Sequence, residues 1–217
     1  MQSHSLTTFG QELTYFKQFC QKYYRAIIII CVATVIVVTE RSSSISWFSS
    51  THYESLILYG LIPLALLISL GYRTPHSLAL SIGHWRFWLP ASLLYLAVAI
   101  PLVVIGTQSA SMNYYYQKED FDFTVHVYTT CIYLLGWEYF FRGFLLAGLK
   151  EKFKEGAILL QLIPFTLLHL GKPDIETLSC ILSGLVWGYI CYRGNSFWPA
   201  YFMHLCVNLC TVLLVNA

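Results

Sequence analysis

The stretch "GWEYFFRGFL", Gly136–Leu145, decides how this chain is read. It sits inside a long aromatic and aliphatic run, yet it holds one glutamate and one arginine. Glu138 and Arg142 are four residues apart, so on a helix they share one face. Opposite charges in so apolar a segment are either a structural ion pair or groups that do chemistry where charge is costly.

The surroundings make the segment a membrane span. The chain has 217 residues, of which 57% are hydrophobic and only 11% charged. Soluble domains carry about 25% charged residues. A mean hydropathy of +0.59 points the same way. These values identify an integral membrane protein, and a net charge of +2 gives no reason to expect a nucleic-acid partner. The first 22 residues are polar and lack the short apolar core and small-residue site of a cleavable signal peptide. The seven cysteines have no CxxC spacing and read as free thiols packed as small hydrophobes.

A spanning helix needs roughly 20 apolar residues. Seven runs qualify or come close: Tyr24–Thr39, Tyr53–Tyr72, Phe87–Thr107, Thr124–Leu149, Gly156–Leu170, Leu178–Tyr192 and Trp198–Val215. No alternating strand pattern suggests a barrel. The expected fold is an all-α integral membrane bundle of about seven transmembrane helices around a polar intramembrane cavity. Residues 1–123 form an N-terminal region of about three helices, and residues 124–217 a core of four. "RSSSISWFSS" and "QKEDFDF" read as polar loops. "GYRTPHSLALSIGHWRF" reads as an amphipathic segment on the membrane surface. Lys17, Lys22, Arg25, Arg73, Arg86, Lys150, Lys152, Lys154 and Arg193 then fall on one side, which places the N-terminus in the cytoplasm and the C-terminus outside.

Polar groups within spans are costly and usually face a cavity or the bundle interior. Besides Glu138 and Arg142, the sequence offers His169, His204 and Asn208. His204 and Asn208 are an i,i+4 pair, as are Phe165 and His169. At about 1.5 Å per residue, Glu138 lies about 18 Å from Lys150, His204 about 16 Å from Arg193, and His169 about 22 Å from Lys154. Singly, each has a plain structural explanation: a packing ion pair, an interfacial histidine, interhelical hydrogen bonding. Their common depth favours one shared site.

A carboxylate, two imidazoles and an amide suit hydrolysis. A buried Glu138 can act as general base, His169 can share the attacking water, and His204 with Asn208 can donate to an oxyanion. Two histidines and a glutamate can also hold zinc. HExxH is absent, Arg142 adjoins the carboxylate, and Asn is a poor zinc ligand, so metal-free chemistry without a cofactor is preferred. Cys206 and Cys210 point roughly 200° away from the His204 face, which disfavours them as nucleophiles. Proton-relay transport is a weaker reading, for no internal repeat is visible.

The same residues resemble the CAAX-prenyl endopeptidase and bacteriocin-processing (CPBP, or Abi) family of intramembrane proteases. "WEYFFRG" is similar to its Glu-Glu-x-x-x-Arg run. "FTLLH", Phe165–His169, matches its Phe-x-x-x-His run, and "HLCVN", His204–Asn208, its His-x-x-x-Asn run. "SGLVWGYICYRGNSFWPAYFMH" also looks like the family's approach to that last motif. The resemblance runs from about Thr124 to the C-terminus. It implies a glutamate that activates water with the second-motif histidine, an oxyanion held by the last His and Asn, and a membrane-associated peptide or protein as substrate. Carried over, those positions are Glu138, His169, His204 and Asn208, with Arg142 as partner of Glu138. Family substrates include prenylated tails, bacteriocin leaders and sorting tails of surface proteins. The compact size and short loops suit a bacterial inner membrane.

The chain departs from the pattern at one place. The family's run opens with two adjacent glutamates, the first taken as the base, and Trp137 stands there. Three readings stay open: Glu138 as base in a variant branch, Glu176 lending a carboxylate from beyond His169, or an inactive immunity or scaffold protein.

Overall fold

The computed structural model describes residues 8–42 and 52–217. The chain is a helical bundle built in the order α1 (Phe9–Arg41), α2 (His52–Ser55), a π-helical segment π1 (Leu56–Leu61), α3 (Ile62–Ser69), α4 (Trp85–Gly106), α5 (Ala110–Tyr116), α6 (Phe123–Glu138), a second π-helical segment π2 (Tyr139–Leu146), α7 (Ala147–Phe153), α8 (Gly156–His169), α9 (Asp174–Gly194) and α10 (Trp198–Asn216). Among the described residues the only β feature is one isolated bridge, Leu170 with Lys172. Helix is what the bilayer demands, since it satisfies every backbone group within the segment. The helices α1, α4, α9 and α10 are long and apolar enough to cross a membrane, and α2–α3 and α8 are shorter apolar helices. Leu94, Val98 and Leu102 on α4 and Leu178 and Leu182 on α9 point outward. These faces meet lipid.

The centre of the bundle is π2. All eight of its residues are buried, Arg142 among them. α8, α7, α3, α9 and α1 pack against it, and α10 lies against α4, α6 and α9. At Gly136 the backbone of the α2–π1 helix comes very close: a Cβ there would stand 2.8 Å from the Ser55 carbonyl oxygen and 2.9 Å from Leu56 Cα. Only glycine permits that approach.

Two expectations change in detail. The helix that holds the first apolar run, Tyr24–Thr39, is longer than the run itself: α1 extends over 33 residues, because residues 9–22 continue it. The amphipathic segment expected at 71–87 is not helical before Trp85, where α4 begins. It folds into turns that pack under the 194–198 turn, where His84 donates its amide to the Gly194 carbonyl, Phe197 to Ala79, and the Trp198 indole to Leu80. Leu78 and Ala79 are buried there, so two Pro- and Gly-bounded turns replace a helix. The polar loop expected at 41–50 lies outside the described residues beyond Ser42.

Candidate active site

Glu138 ends α6 and is fully buried. One turn on, Arg142 Nη1 lies 2.8 Å from its Oε2. From α10, His204 Nδ1 lies 2.5 Å from its Oε1. Each carboxylate oxygen thus faces one partner, Oε1 by a hydrogen bond and Oε2 by charge alone. The guanidinium is itself enclosed by rings: its Cζ is 4.3 Å from the Phe165 centroid and 5.6 Å from those of Trp187 and Phe141. Cation–π attraction supplements the one charge partner, which matters because none of the three Arg142 guanidinium nitrogens makes a hydrogen bond to a protein acceptor.

His169 closes α8 and is 3% exposed. Its Nδ1 is 2.7 Å from the Phe165 carbonyl. A carbonyl only accepts, so Nδ1 carries the hydrogen and Nε2 keeps a lone pair. The ring packs on Phe165 at 4.5 Å and edge-on to Trp137 at 5.9 Å. Asn208, one turn beyond His204, accepts at Oδ1 from His126 Nε2 on α6 at 3.2 Å, and Thr130 Oγ1 is 3.3 Å from the same nitrogen. That bond leaves the Asn208 amine as its donor.

These groups surround a cavity of about 600 Å³, whose wall includes His126, Trp137, His169, His204 and Asn208. Glu138 is not on that wall; it stands behind His204. Beside it, between α4, α9 and α10, runs an apolar groove of about 710 Å³, and His169 and His204 border both spaces.

The structure therefore brings Glu138, Arg142 and His204 into direct contact and sets His169 and Asn208 on the same chamber. Glu176 goes elsewhere. In the first turn of α9 it pairs with Lys172 Nζ at 2.7 Å and accepts from Tyr116 Oη at 2.6 Å, and it faces the apolar groove rather than the polar cavity. The sequence reading missed His126. Its signal was present: an imidazole four residues before Thr130, one helical turn away, near the start of the run that holds Glu138. Cys206 and Cys210 are free, as are the other five cysteines. Among the described residues no three His, Cys, Asp or Glu side chains converge as a metal-ligand set.

Residues 120–210 match the family model described as type II CAAX prenyl endopeptidase, Rce1-like. No curated protein and no solved structure matches the chain. The matched stretch contains all three motifs and every cavity residue named above. Over residues 120–210, somewhat less than half of the chain, this protein is similar to the type II CAAX prenyl endopeptidases, in agreement with the resemblance its motifs carry.

Proposed function

We propose that this protein is an intramembrane endopeptidase that hydrolyses a peptide bond of a membrane-associated peptide or protein, using water and no metal or cofactor. The observation that carries the reading is the convergence of His169, His204 and Asn208 on one polar cavity inside an apolar bundle, bordered by a lipid-facing groove. His169 presents a bare Nε2 to cavity water. Asn208, oriented by His126, presents N–H groups to an oxyanion, and such donors are worth most in a water-poor site. His204 donates from Nε2 only when both its nitrogens are protonated, a charge that the Glu138 carboxylate at Nδ1 offsets. Glu138 and Arg142 thus support the site by fixing His204.

Arg25 meets Glu151, and Lys150 donates to Tyr192 and Asn195, so the basic turns gather at one end of the bundle. Lys22 and Lys152 meet at the Tyr23 ring at the same end. With that end cytoplasmic, the cavity opens on the opposite face, at the end of α1. A bacterial inner membrane and a substrate cut on its outer side, such as a leader or a sorting tail, suit this arrangement better than a cytoplasmic prenylated tail.

A second reading, a non-cleaving immunity or scaffold protein of the same family, draws on Trp137 in the place of the family's base. Reconstitution with a panel of membrane peptides separates the two. The protease reading expects a discrete cut by mass spectrometry that His169→Ala slows about 10²–10⁴-fold, the usual range for a lost acid–base group. A folded wild-type protein that cuts no peptide supports the second reading.

A further inference from the structure

The polar cavity has a carboxylate on its wall after all, and it comes from outside the family motifs. Glu40, in the last turn of α1, lines the same chamber as Trp137, His169, His204 and Asn208, and among the described residues it is the one Asp or Glu on that wall. Its neighbour Arg41 fixes its position: Nη1 donates to the Leu170 carbonyl at 2.7 Å, tying the end of α1 to the residue after His169. Glu40 lies near enough to Tyr59 and Tyr133 for its charge to act on both phenols. Those two rings pack on Trp137, Tyr133 stacked at 5.5 Å and Tyr59 edge-on at 5.4 Å. The carboxylate is therefore on the side of the chamber where Trp137 stands against His169. Helix stability gives no reason for it, since a negative charge in the last turn opposes the helix dipole. Glu138, fully buried between Arg142 and His204, is not on the wall of that cavity.

We infer that Glu40 is the general base of this protein, supplying from α1 the carboxylate that Trp137 displaces from α6. The inference rests on the protease reading. Glu40 takes a proton from a cavity water hydrogen-bonded to His169 Nε2. The water oxygen bonds to the substrate carbonyl carbon, and the carbonyl π pair moves to its oxygen, which Asn208 receives. The C–N bond then breaks, the leaving nitrogen takes the proton back from the Glu40 carboxylic acid, and the oxyanion re-forms a carbonyl. The net change is peptide plus water to acid plus amine, with Glu40 restored.

The test uses the full chain in bilayers, with any peptide that wild type cuts. Glu40→Ala is expected to lower kcat by about 10²-fold or more with KM little changed, as for loss of a general base. Added formate, small enough for a cavity of about 600 Å³, is expected to restore a concentration-dependent part of the rate. A purely structural role would give no such rescue. Glu40→Gln, isosteric and at an exposed helix end, guards against misfolding and is expected to fall as far. Glu40→Gln with more than half the wild-type kcat overturns the inference and leaves the protease reading standing. A folded wild type inert to every peptide overturns both.

Discussion

Arg142 is the residue with most at stake in the core. A guanidinium with no exposed side-chain surface has one carboxylate and three aromatic faces as its environment. Removing the partner of a buried charge costs about 3–5 kcal/mol. Glu138→Ala should therefore lower thermal stability in detergent strongly, and Glu138→Ala with Arg142→Met should recover much of it. Unequal losses of this kind in melting curves identify the pair as structural support for His204. Arg142→Lys should not substitute, because an ammonium lacks the planar face that stacks on Phe165. His126 offers a cleaner functional probe. His126→Ala releases the Asn208 amide without disturbing a buried charge, so cleavage should drop about 10-fold or more while the melting temperature moves little; one lost oxyanion donor costs up to about 10²–10³.

At the level of elements, Gly136 and π2 place the site. Gly136→Val should separate α6 from the α2–π1 helix and cost more stability than Gly136→Ala, which already forces contacts under 3 Å. Circular dichroism melts of the two variants check the order. The sequence singled out Glu138, Arg142, His169, His204 and Asn208 as candidates, since polar groups in apolar runs are few and helical spacing sorts them by face and depth. It could not show that the ladder widens to a π-helix at Tyr139, one residue after Glu138, because nothing in Tyr-Phe-Phe-Arg-Gly distinguishes i+4 from i+5 bonding. Glu40 was hidden for another reason. One-helix spacing links residues of the same segment, whereas Glu40 reaches the chamber only through the tertiary packing of a helix distant in the chain. His126 fell between these cases, visible on α6 but without meaning until α10 brought Asn208 beside it.

The molecule as a whole is polarised along the membrane normal. Basic turns crowd one end, and the cavity opens at the other. Reporter fusions or cysteine labelling at Lys152 and Asp120 should accordingly report opposite sides, Lys152 in the cytoplasm. The two spaces that share His169 and His204 differ in character, one polar and one apolar and turned to lipid. A bond cut where they meet yields fragments with unlike destinations. Under the proposed cleavage, the hydrophilic fragment would diffuse into water, while the greasy one would stay dissolved in the bilayer beside the protein. Turnover in a small vesicle would then slow as that fragment accumulates in two dimensions, and dilution with fresh lipid, not with buffer, would restore it.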